Sequence, residues 1–376
     1  MNRTDALRHF KETYVKEKSN EKLFLLEEYF QEHKDCLSIA FVESFRQACI
    51  KIKEMQLKKE KGKIGYITYS MLRTGIAEGK ADYLLEAFDK HWFLDFEECH
   101  AGYDAGWAFG FLNGLRTELE EKGKLYIGAV VASDVGNIIQ SEAGKFNEYV
   151  ISLARYAMPL AIALDEYKEI DKEEELEVRV GEYRDISEVV CKEDTGVKNS
   201  EKIREWLNER LEDEYSFEVF RGLDLQAGDY NHSDLSYADF MGSNLSKSRM
   251  TGCILVGTKF SGGFLEGADL SGSLIYGADF SHCSLKGAVF CGAEGAEGLH
   301  DRLYWERPGY TGVSFKGAEL EGADFKKADL KGAVFIGADL KNVNFTEADL
   351  KNAVFLKKDS GLLNLDELQI RDIKWK

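Results

Sequence analysis

The residues best suited to chemistry lie in the stretch DFEECH at positions 95–100, with His91 and Asp104 close by. Its Glu, Cys and His side chains carry the oxygen, sulfur and nitrogen ligands that a metal ion uses. Adjacent residues of a strand or helix point in different directions, however, and no second ligand set with a matching spacing follows. We therefore predict an ordinary polar element here, with no metal site and no catalytic residue.

The remaining sequence holds no motif of a common catalytic or cofactor-binding loop, since GxGxxG, Walker A, GxSxG and HExxH are all absent. The seven Cys are scattered and lack CxxC spacing, so we expect reduced thiols. The N-terminus has no apolar signal core, and no run of eighteen apolar residues occurs. These features predict a cytoplasmic protein without a cofactor and without a membrane span.

The charge balance narrows the class of partner. The 376 residues carry a formal net charge of −18. Such a surface argues against direct binding of nucleic acid or of an anionic membrane, because phosphate binding needs basic side chains. Residues 1–215 contain 44 acidic and 31 basic residues, whereas residues 216–360 contain 20 and 15. Most of the negative charge therefore lies in the first part of the chain.

The second part of the chain has a period of five residues. In GADFKKADLKGAVFIGADL, residues 322–340, a Phe or Leu returns at every fifth position, with Ala two places before it. Such apolar centres run from Leu225 to Phe290 and from Phe315 to Phe355. Residues two apart in extended chain share one side, so the centre and the small residue both point inward. Gly often follows and permits a corner. Four such sides close a coil of about 20 residues, and coils stack at about 4.8 Å.

This pattern resembles the pentapeptide repeat family, whose motif is A(D/N)LXX. ADLSG at 268–272, ADFSH at 278–282 and ADLKN at 338–342 are near-consensus copies, and the resemblance covers about 220–357. It implies a right-handed quadrilateral β-helix without an internal cavity. The best understood members resemble DNA in shape and charge, bind type II topoisomerases and protect them from quinolones. The resemblance therefore suggests DNA gyrase or topoisomerase IV as a partner.

The segment 291–312 interrupts the repeat. Phe290 and Phe315 are separated by a whole number of pentads, which leaves room for one extra coil, and we expect the four faces to stay in phase. The segment is either a degenerate coil or a protruding loop, and its bulky side chains favour the loop. Loops on rigid scaffolds often carry binding residues. The predicted interaction loop comprises Arg302, Tyr304, Trp305, Arg307 and Tyr310. The alternative is a loop that folds back over the solenoid.

Two outer surfaces stand out when every twentieth residue is assigned to one face. The first is an apolar stripe, which predicts docking of the N-terminal domain or of a second subunit. It consists of Ile254, Val256, Leu274, Tyr276, Val334, Ile336, Val354 and Leu356. The second is an acidic face, which is consistent with a DNA mimic but also with the solubility of the solenoid. It consists of Asp239, Asp279, Glu319, Glu321 and Asp339.

The sequence before position 216 shows no repeat. Apolar residues at helical spacing predict helices near the N-terminus and before Pro159, and aromatic-rich stretches predict strands that pair. The predicted fold is an α+β, largely helical N-terminal domain followed by the solenoid. The boundaries are 1–198 for the N-terminal domain, 199–216 for a capping or linker helix, 217–358 for the solenoid and 359–376 for a C-terminal capping helix.

Two functions follow from this organisation. The first is a non-enzymatic protein-binding scaffold, with a DNA-mimic modulator of gyrase as its most specific form. The alternative is an enzyme or ligand sensor in residues 1–215, with the solenoid as a dimerisation or targeting module. A homodimer is compatible with both. A concave pocket with convergent polar groups in the N-terminal domain would favour the alternative.

Overall fold

The computed structural model describes residues 2–211 and 214–376. The chain forms two compact units. Unit 1 comprises Met1–Thr195 together with Asp301–Pro308, and unit 2 comprises Gly196–His300 together with Gly309–Lys376. A short piece of the repeat interruption therefore belongs to the N-terminal unit.

Unit 1 is largely helical, as predicted. Its helices are α1 (Arg3–Phe10), α2 (Lys16–Leu57), α3 (Arg73–Ala77), α4 (Gly106–Gly123), α5 (Ala132–Ala161) and α6 (Asp165–Glu169). A π-helical turn, Lys11–Val15, joins α1 to α2, and 3₁₀ turns occupy Trp92–Leu94 and Lys124–Tyr126. Helix α5 contains Pro159, where the sequence predicts a kink or a stop, and ends two residues later at Ala161.

One five-stranded sheet completes unit 1. Its strands are β1 (Ile64–Met71), β2 (Asp82–Phe88), β3 (His100–Asp104), β4 (Lys172–Glu182) and β5 (Ser187–Asp194). The order is β3-β2-β1-β4-β5, with β1 parallel to β4 and the other pairs antiparallel. The predicted pairing of the two aromatic-rich stretches is the antiparallel β1–β2 pair. Helices α2, α4 and α5 contact one another, and Leu112 and Phe146 are buried. Phe41 of α2 is also buried and stacks on Tyr69 of β1 at 4.7 Å.

Unit 2 is a β-solenoid, as predicted from the period of five. Parallel bridges join each pentad to the fourth pentad after it, for example Val219 to Asp239 and Asp239 to Lys259. Four such ladders run along the unit, one for each five-residue side. The inward centres are buried, and so are the small residues two places before them, except for the partly buried Ala338.

Phe rings fill the lumen. In one column, successive rings stack nearly parallel at centroid distances between 4.6 and 5.4 Å. This column consists of Phe220, Phe240, Phe260, Phe280, Phe315, Phe335 and Phe355. A second column, Phe290, Phe325 and Phe345, meets the first edge to face. Such stacking on every coil buries a large apolar area without leaving a cavity between the rings.

Both ends of the solenoid are covered by the chain itself. Helix α7 (Ser200–Asn208) lies in the segment predicted to cap the first coil, and residues 212–213 of that prediction are outside the described residues. Its Ser200 and Asn208 side chains accept hydrogen bonds from backbone N–H groups of the first coil. At the other end, a 3₁₀ turn at Lys357–Asp359 is followed by α8 (Glu367–Asp372). Strand β7 (Lys374–Trp375) then pairs in parallel with β6 (Val354–Phe355), because the last coil would otherwise expose an unpaired edge.

The interruption changes the register of the faces, and here the sequence prediction was wrong. Residues 291–295 still form a pentad, since Glu294 bridges Leu274 and Asp329. After the loop, the first pentad pairs through a bridge between Ser314 and Asp279. These two residues are seven pentads apart in the chain, whereas bridge partners before the loop are four pentads apart. The loop therefore adds three pentads to the path and not the four of a full coil. The sequence-based prediction places every twentieth residue on the same face. Every pentad after the loop therefore lies on the face next to the one predicted.

The missed pentad explains the error. Its centre is Gly295, which has no side chain to mark it in the sequence. A Cβ atom there would lie 2.9 Å from Ile275 Cγ1 and 3.2 Å from Val313 Cγ1. These two neighbours fill the space that an apolar centre occupies elsewhere.

Candidate interaction surfaces

The apolar stripe is divided between two neighbouring faces. Ile254 and Leu274 lie on the ladder that continues to Glu294 and Asp329. Val334 and Val354 lie on the ladder that begins with Val219 and Asp239. The prediction that all eight apolar residues share one face was therefore wrong, because the loop adds three pentads. Its two halves are Ile254, Val256, Leu274 and Tyr276 on one face, and Val334, Ile336, Val354 and Leu356 on the next.

The returning arm of the loop covers part of the first half. Gly298 and Tyr310 form a two-way antiparallel bridge at the base of the loop. The Tyr310 ring stacks on Tyr276 at 4.7 Å, and the Tyr276 hydroxyl donates to Glu294 at 2.7 Å. Burial, followed by the Glu294 carboxylate, raises the pKa of Tyr276. Tyr276 thus has its partner within unit 2, in agreement with a loop that folds back over the solenoid.

The predicted acidic face is divided in the same way. Asp239 and Asp279 share one ladder, whereas Glu319 and Asp339 belong to the next ladder, with Glu321 beside them. Several of these carboxylates have basic partners: Arg221 contacts Asp239 at 2.7 Å, Lys286 contacts Glu319 at 2.9 Å and Lys341 contacts Glu321 at 2.7 Å. The hydrogen bond from each lysine lowers the pKa of its glutamate. The face therefore presents paired charges more than a continuous negative row.

The consensus Asp of the repeat has a structural role. Its Oδ1 accepts a hydrogen bond from the backbone N–H two residues later, at the corner of the coil. This contact recurs at Asp234, Asp239, Asp269, Asp279, Asp324, Asp339 and Asp349, over 2.9 to 3.2 Å. An Asp before the centre satisfies a turn donor, so these acidic side chains contribute to the fold. Asn244 and Asn344 make the same contact without a charge.

Trp305, at the tip of the loop, is buried in unit 1. Trp305 is 9% exposed. Its indole N–H donates to the Tyr149 hydroxyl on α5 at 2.7 Å, and the two rings stack at 6.0 Å. Lys16 Nζ lies 5.3 Å from the centre of the Tyr304 ring, which is 55% exposed. Arg302 and Arg307 are exposed. The five residues of the predicted interaction loop therefore differ: one is an internal anchor, one covers Tyr276, and three present side chains at the surface.

The contacts of the Tyr149 hydroxyl leave its oxygen free to accept the hydrogen bond from Trp305. Its own hydroxyl hydrogen points to Glu27 Oε2 on α2, 2.9 Å away, and Gln31 donates to the other Glu27 oxygen at 2.8 Å. Burial, followed by the neighbouring Glu27 carboxylate, raises the pKa of Tyr149, so it stays a protonated donor. Phe30 packs edge to face on Tyr149 at 5.7 Å. No sequence signal pointed to Glu27 or Tyr149, because the contacts join residues more than 120 positions apart.

The polar stretch at 95–100 is dispersed among separate contacts. Asp95 forms a buried ion pair with Lys61 at 2.6 Å. Burial pushes the pKa of Asp95 upward, but hydrogen bonds from Lys61 and from two backbone N–H groups bring it below its ordinary value. His100 lies 3.4 Å from Glu86, whose pKa is raised by burial, and Asp104 accepts from the N–H of Gly106. In the part of the chain that the structure describes, no three His, Cys, Asp or Glu side chains are grouped to hold a metal ion.

A cleft of about 620 Å³ lies beside the Lys61–Asp95 pair in unit 1. Leu94 and Phe96 line it and are 71% and 89% exposed. Its volume is in the range of ligand sites. Its buried charged groups bind each other, however, so they do not converge on the open space.

Among residues 2–211 and 214–376, no helix combines the length and apolar character needed to cross a bilayer.

Comparisons with known proteins concern the repeats. The family described as pentapeptide repeats matches in eight copies over residues 220–257, 233–272, 253–292 and 311–355. No curated protein sequence matches the chain.

Three solved structures illustrate the likeness. Full-length QnrB1, a plasmid-mediated fluoroquinolone resistance protein, is 21% identical over 45% of this chain and 90% of its own, with a TM-score of 0.27. A pentapeptide repeat protein from the Arabidopsis thaliana thylakoid lumen is 29% identical over 33% and 69%, with a TM-score of 0.14. HetL from Nostoc sp. strain PCC 7120, involved in heterocyst differentiation regulation, is 19% identical over 43% and 98%, with a TM-score of 0.13.

The period of five, the ladders with a step of four pentads and the eight family matches agree. Residues 220–292 and 311–355 therefore consist of pentapeptide repeats, and the N-terminal unit is not assigned to a family.

Proposed function

We propose that the protein is a non-catalytic, cytoplasmic scaffold that binds another protein through the outer faces of unit 2. The observation that carries this proposal is the filled lumen, in which neighbouring rings stack at 4.6 to 5.4 Å. Rings in van der Waals contact leave no room for a ligand. The repeats therefore offer a partner only their outward side chains.

The ladder that contains Phe264 is the best binding face. Phe264 is 51% exposed on the outer surface, where most neighbours are polar. The same ladder continues through Ser284 to Glu319 and Asp339. An exposed aromatic residue beside carboxylates fits a partner that presents an apolar pocket with a basic rim, because aromatic anchors carry much of the energy of interfaces.

Photo-crosslinking in cells tests this face. A photoreactive amino acid at position 264 is expected to capture one protein, and excess unlabelled wild-type chain should prevent capture. A Phe264→Ala, Glu319→Lys competitor should fail to prevent it. The matched control carries the photoreactive group at Ile127, which is 96% exposed in unit 1. Specific capture from position 127 alone would contradict the proposal.

A more specific candidate is a DNA-mimic modulator of DNA gyrase or topoisomerase IV with quinolone protection. It rests on the resemblance to topoisomerase-binding pentapeptide repeat proteins, on a right-handed quadrilateral path for the solenoid and on the net charge of −18. The pairing of Glu319 and Glu321 with lysines weighs against it. A gyrase supercoiling assay with added protein, with and without a quinolone, tests it. Inhibition or relief of quinolone poisoning would support this candidate, and no effect at micromolar protein would eliminate it.

The alternative is an enzyme or ligand sensor in residues 1–215, with the solenoid as a dimerisation or targeting module. The cleft beside Lys61 and Asp95 is the feature that favours it. A thermal-shift screen of metabolites against wild type and Phe96→Ala tests it. A ligand that raises the melting temperature of wild type only would favour a sensor at this cleft. A homodimer is compatible with either function.

A further inference from the structure

Trp305 packs into unit 1 through contacts that the proposed function does not use. Two helices of unit 1 supply the residues around Trp305: α2 contributes Glu27 and Phe30, and α5 contributes Tyr149. Residues 301–308 are the one piece of the repeat half that belongs to this unit. Trp305 and Pro308 are the buried side chains of this segment, whereas Leu303 is 77% and Tyr304 is 55% exposed.

We propose that the space that Trp305 fills against α2 and α5, the Trp305 cleft, is a recognition site for Trp-bearing peptide segments, and that residues 301–308 occupy it as a tethered ligand. The site recognises the indole by two features. The Tyr149 ring, which Phe30 contacts edge to face from α2, stacks on the indole ring. The Tyr149 oxygen then accepts the indole N–H.

The hydrogen-bond directions make the site selective for Trp over Phe. The Tyr149 hydroxyl hydrogen is committed to Glu27, so its oxygen is left as an acceptor that faces the indole at 2.7 Å. A Phe ring in the same place would stack on Tyr149 but would have no N–H to donate. The buried oxygen would then lose its partner, which typically costs a factor of about ten in affinity.

The loop has the features of a ligand that can leave. Its base is closed by the Gly298–Tyr310 bridge, and Gly298 has a φ of 94° that favours glycine. This bridge involves none of residues 301–308, so the base can stay paired when the tip leaves the cleft. A tether this short holds its own tip at an effective concentration of about millimolar, so an external segment must compete with it. The expected occupant in trans is a partner protein with an exposed Trp segment.

The test uses the full chain and a fluorescent synthetic peptide, LHDRLYWERPGY, which copies residues 299–310. The Trp305→Ala chain has an empty cleft, so fluorescence anisotropy should show at least about tenfold tighter peptide binding than to wild type. A peptide with Phe in place of Trp should bind about tenfold more weakly, and a peptide with Ala should not bind. Adding Tyr149→Phe to Trp305→Ala should weaken binding by a similar factor.

A matched variant separates the site from the rest of the loop. Tyr304→Ala keeps the anchor in place and should leave peptide binding as weak as in wild type. Circular dichroism establishes that each variant is folded. If Trp305→Ala does not fold, Trp305→Phe replaces it, because it keeps the ring and loses only the N–H donor. Equal peptide binding to wild type and to the folded variant, or no binding to either, would overturn the proposal.

Discussion

Phe315 is the first inward centre after the loop, and its replacement tests how the two parts of the solenoid join. Phe315 is fully buried. Its ring stacks on Phe280 at 5.2 Å and on Phe335 at 5.1 Å, and it meets Phe290 and Phe325 edge to face. It therefore continues the aromatic column across the interruption, and its loss should destabilise the coils on both sides of the loop.

The expected cost of Phe315→Ala is about 4 kcal/mol, because truncation of a buried Phe to Ala costs about 3–5 kcal/mol through lost burial and the cavity left behind. Each stacked or edge-to-face ring contact contributes about 0.5–1.5 kcal/mol beyond area burial. The rigid coils on either side cannot collapse far into the gap, so we expect a value in the middle of that range or above.

Urea unfolding followed by circular dichroism measures the change, and hydrogen exchange locates it. Coils contact only their neighbours, so lost protection should concentrate in the coils next to Phe315. Phe264→Ala is the matched control, because Phe264 is 51% exposed, and it should change stability by less than about 0.5 kcal/mol. A Phe315→Ala cost within about 1 kcal/mol of the control would refute a continuous aromatic column. If that variant does not fold, Phe315→Leu should still be clearly less stable than the control.

Three further predictions concern single residues. Burial raises the pKa of the Cys253 thiol to about 12, so this thiol should not react with a thiol reagent at mildly alkaline pH in the native protein. The exposed thiol of Cys36 should react at once. Mass spectrometry measures the labelling, and rapid labelling of both residues would contradict the prediction. Gly312→Ala should destabilise unit 2 by about 2 kcal/mol or more in urea unfolding, because its Cβ would lie 2.4 Å from the Gly332 carbonyl oxygen; an unchanged midpoint would show that the backbone gives way. The pKa of Asp95 is lowered in the folded state, so its contribution to stability is present above the ordinary value of 3.8 and is lost as pH falls through the folded pKa. The stability gap between wild type and Asp95→Asn should therefore be largest near neutral pH and shrink below pH 3.8, and a gap independent of pH would be inconsistent with the ion pair.

The sequence predicts the solenoid well because its period is a direct record of the geometry. An inward centre every fifth residue requires a side of five residues, and the four-sided coil follows. The register failed at one point. Gly295 occupies a centre without an apolar side chain, so the pentad at 291–295 was not recognised and the loop was taken to be one full coil long. Ile275 and Val313 fill the space at Gly295. A single sequence does not reveal that these two side chains replace an apolar centre.

The sites were harder to predict than the fold. Trp305 was identified as a binding residue from its type and its position in a loop, but nothing in the sequence linked it to Tyr149 or Glu27. Those contacts depend on how distant helices pack, which local periodicity does not encode. The acidic residues were read as a possible partner surface, whereas Asp239 and Asp279 also satisfy the corners of their own coils. A charge that serves the fold and a charge that serves binding look alike in sequence.

The assignment of outward side chains to faces depends on a loop that adds three pentads, and one crosslinking measurement tests it most directly. Ser284 and Glu319 are bridge partners on neighbouring coils, whereas Asp279 and Glu319 lie on different faces. In a background with Cys36→Ser and Cys291→Ser, a thiol crosslinker of about 5 Å, the spacing of paired strands, should join Ser284→Cys to Glu319→Cys efficiently. The same reagent should leave Asp279→Cys and Glu319→Cys unjoined. Efficient crosslinking of the second pair and not the first would show that the faces stay in phase across the loop and would contradict the surfaces described for this protein.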